Sequence, residues 1–344
     1  ISAKSTSPAS GSAYTDGPWR RLQTFHGEDR HETARKVLAG ELEWKHPVEE
    51  VNNFINNLRL AFDKKGLEEE TKKINALVTA AELRQFFSKK KESTESSPSG
   101  RHVGHYKAIL GNDDVVELIV AMINIGISTG CSLSRWQRTI SVMLEKDKGS
   151  PKIYRLRIIQ LFEADYNFFL SLVFGHRLMK FARQHCQFNA SQYGSMKGKQ
   201  AQSAILNKIL TYDYFRLQKE NAVTSEFDAA ANYDCILPAI AVIACERLGL
   251  ATKIGDLLFN SLDKLKNKVR TLYGLSTEYG PTADYPLFGS KQGSGGSPTF
   301  WAAIADVLFN TMDDFGPGIV LQDPIGRQIS RRSEDGFVDD TSLG

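Results

Sequence analysis

From Ile236 to Cys245 the chain runs ten residues without a polar side chain. Pro238 is placed to open a helix, and residues 238–248 read as a helix that is apolar nearly all round. Such a helix has no face for water, so the chain must build a body large enough to surround it. A bilayer is not the surrounding medium, because the run is about half of the ~20 residues a membrane span needs and Glu246 cuts it. The 344 residues, 41% hydrophobic and 24% charged, suit an ordinary soluble protein and exclude a disordered tail, a collagen or a disulfide-stapled miniprotein.

Around that helix the pattern alternates irregularly. Residues from about 28 to 75 are rich in Glu, Lys, Leu and Asn at helical spacing and form a polar helical extension behind a Ser-rich start. Thr79-Ala80-Ala81-Glu82 is a capping box ahead of an apolar-periodic helix. A helix is expected over about 113–128. Residues 140–144 and 153–161, separated by Asp147-Lys148-Gly149-Ser150-Pro151, form a β-hairpin. Helices follow at about 163–185, 200–219, 252–267 and 298–314, with short strands near 223–227, 268–278 and 337–338. Asp323-Pro324-Ile325-Gly326 is a turn between strands. This irregular mixture predicts an α+β fold rather than a doubly wound sheet.

The four cysteines (Cys131, Cys186, Cys235, Cys245) contain no Cys-x-x-Cys pair, and the seven histidines give no zinc spacing. Cys235 and Cys245 read as small core residues of a reducing compartment. No signal peptide opens the chain, so an intracellular place, nuclear or cytoplasmic, is expected, with no membrane partner. The Asn189-Ala190-Ser191 sequon reads as a chance match.

The net charge of +3 conceals an asymmetry. Between Lys146 and Arg216 there are 12 Lys or Arg against four acids, a local +8 that leaves −5 for the remainder. Aromatics are interleaved there, from Tyr154 to Tyr193. A polyanion-binding surface and a solvated helical face over an aromatic core both produce this pattern.

Three Asp-Asp pairs compete for chemistry. Asp113-Asp114 follows Gly111-Asn112 and reads as helix capping. Asp313-Asp314 lies at the end of a helical frame and is expected to face solvent. Asp339-Asp340 differs, because it sits between short strand-like pieces in Gly336-Phe337-Val338-Asp339-Asp340-Thr341-Ser342-Leu343. Adjacent carboxylates raise each other's pKa, and divalent cations remove that penalty; a plain surface turn is the competing reading. Asp228, in Ser225-Glu226-Phe227-Asp228, ends a strand that leads to the buried helix and reads as a further metal ligand or as a helix N-cap. Gln292-Gly293-Ser294-Gly295-Gly296-Ser297-Pro298 opens a helix without the Gly-Lys-Ser/Thr of a nucleotide P-loop.

In this order the motifs resemble those of a reverse transcriptase of the non-LTR (LINE-like) retrotransposon kind. Asp228 to Asp234 is similar to the first palm motif, Gln292 to Pro298 to the second, and Phe337-Val338-Asp339-Asp340 to the third. Arg157-Ile158-Ile159 and Lys146 resemble the fingers hairpin, and Gln192-Tyr193-Gly194 through Lys199 a further family segment. Ser97-Pro98-Ser99-Gly100 and Trp136 fit the upstream fingers. The chain departs from the family pattern at Asn232, Ile158 and Gln200.

The resemblance implies a right-hand polymerase, with an antiparallel palm sheet backed by helices. Residues 1–78 would be the N-terminal extension, 79–200 the fingers and 201–344 the palm. The stop at Gly344, soon after the third motif, leaves the thumb absent from this expectation. The implied activity is RNA-directed DNA polymerisation by two-metal nucleotidyl transfer, with RNA template, DNA primer and dNTP as partners. Asp228, Asp339 and Asp340, with the Ala229 carbonyl, would hold two Mg²⁺ ions, for which Mn²⁺ can substitute. Lys146 and Arg157 would bind the triphosphate, Tyr233 would act as steric gate against a ribose 2′-hydroxyl, and Gln292 and Gly293 would line the nascent base pair. Arg177, Lys197 and Lys199 would contact nucleic-acid phosphates. Two alternatives stay open: a catalytically inactive RNA-binding remnant, and an RNA-dependent RNA polymerase.

Overall fold

The computed structural model describes residues 28–94, 98–149, 152, 156–185, 188–221, 223–228, 232–281, 289–316, 318–322, 329–332, 334–337 and 340–343. The fold is α+β. At its centre lies the helix Pro238–Arg247, in which Ala241, Val242, Ala244 and Cys245 are wholly buried. Helices Thr252–Asp263 and Ser297–Asp314 pack against it. The first approaches closely because it presents Gly255: a Cβ there would lie 2.8 Å from Val242 Cγ1. Cys245 is buried as expected, whereas Cys235 is exposed. Cys235 ends the short helix Asn232–Cys235, one residue before the chain turns inward at the buried Ile236.

The N-terminal helices Glu28–Ala39, Glu49–Arg59 and Glu68–Ile74 are polar on most of their surface. Their apolar minority is not a separate patch. Ala34, Leu58 and Ile74 join the same core cluster as the central helix. Arg35 crosses to Glu246 at 2.5 Å and to Asp256 at 2.8 Å, tying the first of these helices to the middle of the molecule. The Thr79 capping box forms as its sequence requires, opening the helix Ala80–Lys89.

The stretch expected as one helix over 163–185 is continuous but not uniform. Ala164–Leu170 is α-helical, Ser171–Leu178 widens into a π-helix, and Met179–His185 returns to α. Phe168, Phe169, Phe174 and Phe181 are buried along it, so the aromatics interleaved with the basic residues belong to the core. A π-turn releases backbone from the i→i+4 ladder, and such bulges gather at functional sites. Here the Phe174 carbonyl accepts a hydrogen bond from Thr299 Oγ1 (3.2 Å), and Gly175 lies against the Gly295 carbonyl. The widening thus faces the Gly-rich loop.

Strands β1 (Arg138–Glu145) and β2 (Leu156–Leu161) form the expected antiparallel hairpin. β1 also pairs in parallel with β4 (Lys266–Thr271), which turns into β5 (Gly274–Leu275). One four-stranded sheet therefore joins the segments assigned above to fingers and palm. A second sheet has the order β3 (Ser225–Asp228), β9 (Asp340–Leu343), β8 (Glu334–Phe337), all antiparallel. β6 (Ile319–Gln322) and β7 (Ile329–Arg332) make a separate antiparallel pair flanking residues 323–328, which lie outside the described residues. Among the described residues, no helix is long and apolar enough to cross a membrane.

Candidate functional site

The β3–β9–β8 sheet is where the separated acidic motifs meet. In its register Asp228, the last residue of β3, stands opposite Asp340, the first residue of β9. Asp340 also stands opposite Phe337, the last residue of β8. The end of β8 and the start of β9 therefore lie at the same end of the sheet as the end of β3. For Asp228 and Asp340 the backbone alone is described, and Ala229 and Asp339 lie outside the described residues.

The hairpin is held from two sides. Along the edge of β8, the Gly336 amide donates to the Ser191 carbonyl (2.9 Å), and the Gly336 carbonyl accepts from the Tyr193 amide (2.8 Å). The Gln192-Tyr193-Gly194 segment thus becomes an added parallel edge three residues before Asp339. Beneath it runs the helix Ser297–Asp314. Gln192 Nε2 donates to the Ala302 carbonyl (3.1 Å), and the Phe309 ring fills the space that a Cβ at Gly336 would occupy, 2.1 Å from Cζ. Gly336 is required there by packing, without any need for an unusual φ.

The Gly-rich loop proves to be a three-way junction. The Ser290 amide donates to the Tyr233 carbonyl (2.8 Å), fixing the half-buried tyrosine beside the loop. The Gln292 carbonyl accepts from the Gln160 amide of β2 (2.7 Å), and a Cβ at Gly293 would lie 2.4 Å from the Gln160 carbonyl oxygen. Gly293 also has a φ of +110°, a conformation that favours glycine. The Gly295 amide donates to Asn167 Oδ1 (2.6 Å) on the helix leading to the π-segment. The glycines thus allow close backbone contacts and position Gln292, in place of the anion cradle that a Gly-rich helix start would suggest. Burial lowers the Lys291 pKa and raises that of Asp234, and each is opposed by the other's charge.

Gln160 links this junction to the hairpin that carries the basic candidates. Arg157 is exposed on β2, paired with Leu144, and Lys146 is exposed one residue past the end of β1. Behind the hairpin a buried polar cluster sets its place: Thr139 Oγ1 lies 3.0 Å from Gln160 Oε1 and 2.6 Å from Asn267 Oδ1, and Ser141 Oγ donates to Gln160 Oε1. Upstream, Ser99 donates to Glu163 through its amide and its hydroxyl, both at 2.8 Å. Trp136 Nε1 and Arg135 both donate to the buried Asp165.

The three basic residues expected on nucleic acid differ in their surroundings. Lys197 is exposed. The Lys199 ammonium donates to the carbonyls of Ala190 (2.6 Å) and Gln192 (3.0 Å), and burial lowers its pKa. Arg177 donates to both carboxylate oxygens of Glu82 (2.7 and 2.8 Å) and to the Leu77 carbonyl. Burial alone would raise the Glu82 pKa, but the bonds from Arg177 and Thr79 hold it below the ordinary value. Both cations therefore brace the scaffold.

The competing acidic pairs resolve as local structure. Asn112, not Asp113, is the N-cap of helix Asp113–Thr129, and Asp113 forms an ion pair with Arg84. Asp313 and Asp314 are exposed at a helix end, accepting from Asn189 Nδ2 and Asn57 Nδ2, each at 2.8 Å. Asn189 of the sequon is thereby engaged in a contact between segments.

Residues with no conspicuous motif also build the site: Gln160, Ser290, Phe309 and Asn167. Their importance follows from contacts across the fold, and only Gly336, directly before the aromatic-x-Asp-Asp box, carried a local signal. Comparison with protein-family models and with curated protein sequences gives no match.

Proposed function

We propose that the chain forms the fingers and palm of an RNA-directed DNA polymerase, which transfers deoxynucleotides from dNTP to a primer 3′-hydroxyl. One observation carries this reading: the ladder sets the end of the strand bearing Asp228 against the start of the strand bearing Asp340. Asp339 directly precedes Asp340 in the sequence. Strand ends in register at a hairpin bring carboxylates together from distant parts of a chain.

The donor set fits Mg²⁺, a hard cation that takes carboxylate, carbonyl and water oxygens. Asp228, Asp339 and Asp340, with the Ala229 carbonyl, would hold two such ions, and Mn²⁺ would serve in their place. When bound, the ions supply the positive charge that activates the primer hydroxyl and neutralises the leaving pyrophosphate.

The chain's own residues do the remaining work. Lys146 and Arg157 bind the triphosphate from the hairpin, Arg157 through a planar fork suited to two phosphate oxygens. Tyr233 excludes the ribose 2′-hydroxyl and keeps its position through its carbonyl bond to Ser290. Gln292 and Gly293 line the nascent base pair, held in line with the hairpin by Gln160. Lys197 contacts template phosphate, while Arg177 and Lys199 keep the surrounding backbone in shape. The template is read by base pairing and shape, without side-chain contacts to base edges.

The test is primer extension on a DNA-primed RNA template. Addition of dNTP with Mg²⁺, its loss on chelation, and poor use of NTP are expected. Efficient NTP addition would indicate an RNA polymerase. RNA binding with no nucleotide addition in any divalent ion would indicate an inactive remnant.

A further inference from the structure

The four-stranded sheet has two unlike faces. One bears the buried polar cluster of Thr139, Ser141, Gln160 and Asn267, and is turned to the protein body. Side chains alternate along a strand, so the register assigns the other face directly. Arg138 pairs with Lys266, Ile140 with Lys268 and Val142 with Arg270. Leu144 pairs with Arg157 across the hairpin. Arg138, Arg157, Lys266, Lys268 and Arg270 therefore project from one face, drawn from three adjacent strands.

Glu278 lies 3.6 Å from both Arg138 and Lys266 and offsets part of this charge. The register sets these cations among apolar Val142, Leu144 and Ile159, with Ile140 of the same face buried. At the end of β4 the turn into β5 carries Leu272 and Tyr273, both wholly exposed. That turn is built, not loose: Thr271 Oγ1 accepts from the Tyr273 amide (3.2 Å) and donates to the Gly274 carbonyl (3.1 Å). An aromatic ring held in water beside a row of cations is the combination that binds unpaired bases and their phosphates.

We propose that this face binds an unpaired RNA strand, with Lys268 and Arg270 on phosphates and Tyr273 stacked on a base. The choice of RNA rests on the polymerase reading, which the inference deepens by giving the template's unpaired strand a path away from Arg157. Two strand spacings of about 4.8 Å, combined with a register offset of two and four residues at about 3.3 Å each, set Arg270 roughly 12 Å and Lys268 roughly 16 Å from Arg157, so one strand of nucleic acid can touch all three.

The experiment is a fluorescence-anisotropy titration of the whole chain with a labelled 12-nucleotide oligouridylate at several salt concentrations. Tyr273→Ala, a change at a wholly exposed site, is expected to weaken binding about tenfold at an unchanged salt slope. Lys268→Ala is expected to weaken it and to reduce the slope by about 0.7. Lys72→Ala, at an exposed position of the helix Glu68–Ile74, should bind as wild type. Wild-type affinity and slope in both sheet variants would overturn the inference, as would absence of binding by the wild type. Loss of binding in both variants, in a chain that adds no dNTP, would uphold this surface and remove the polymerase reading. Unaltered binding in a chain that extends primers would do the reverse.

Discussion

Gly336→Ala probes the joint that holds the acidic hairpin. The added methyl would fall 2.1 Å from Phe309 Cζ and 2.8 Å from Cε2, against a comfortable carbon–carbon distance of about 3.5–4.0 Å. The ring or the strand must therefore retreat by roughly 1.5 Å. Neither moves freely. Phe309 is 2% exposed within a packed helix, and the Gly336 amide and carbonyl are both bonded to the 191–193 edge. Overpacking of this kind costs about 1–3 kcal/mol, and the severity of the overlap points to the upper end, about 3 kcal/mol. Urea unfolding followed by circular dichroism should show a lower midpoint at an unchanged m-value. Phe309→Leu removes the clashing end of the ring. Combined with Gly336→Ala it should give a coupling of at least about 1 kcal/mol, the double variant losing less than the sum of the singles. A stability for Gly336→Ala within about 0.5 kcal/mol of wild type, or strict additivity, would refute the packing argument.

Two further outcomes follow from other sites. His31 is buried, with burial and then the Arg35 charge lowering its pKa to about 3; Asp256, 3.7 Å away, does not reverse this because Arg35 engages that carboxylate. Its pKa is lower folded than unfolded, so the unfolded chain binds the extra proton; this stability is complete above about pH 6.5 and lost as pH falls toward 3, about 1.4 kcal/mol by pH 5.5. His31→Phe should flatten the stability profile between pH 6.5 and 5, and an unchanged slope would contradict the assignment. Tyr233→Ala should relax selection of dNTP over NTP by up to about 100-fold in single-nucleotide addition, and unchanged selectivity would remove the steric-gate role.

Most of the helices were legible because their signal is local. Residues 113–129, 201–218 and 297–314 lie within about two residues of their expected bounds, set by apolar spacing and by Pro298 near a helix start. The π-segment was not legible, since Ser171–Leu178 keeps apolar residues at spacings that an α-helix also accepts. The parallel pairing of β1 with β4 escaped because partner choice between strands over a hundred residues apart leaves no local trace.

At the site, motif order suggested which acids belong together, and the ladder gives the backbone register of Asp228 and Asp340. Charge counting could not separate Lys197 from Arg177 and Lys199, whose intramolecular partners lie far away or around a loop. The polar N-terminal helices concealed their share of the core in a few residues, such as Leu58 and Ile74. Cys235 looked like a core residue because it adjoins an apolar run, but it sits at the run's outer end.

In the proposed polymerase the chemistry falls to Asp339-Asp340 and not to Asp313-Asp314. The most direct measurement compares Mg²⁺-dependent dNTP addition on primed RNA by the wild type, Asp339→Ala and Asp313→Ala. Asp339→Ala should reduce the rate by about a hundred- to a thousandfold, the scale of losing a group that supports transition-state charge. Asp313→Ala, at an exposed helix end, should extend the primer at the wild-type rate. Equal rates for Asp339→Ala and wild type, or loss confined to Asp313→Ala, would contradict the account.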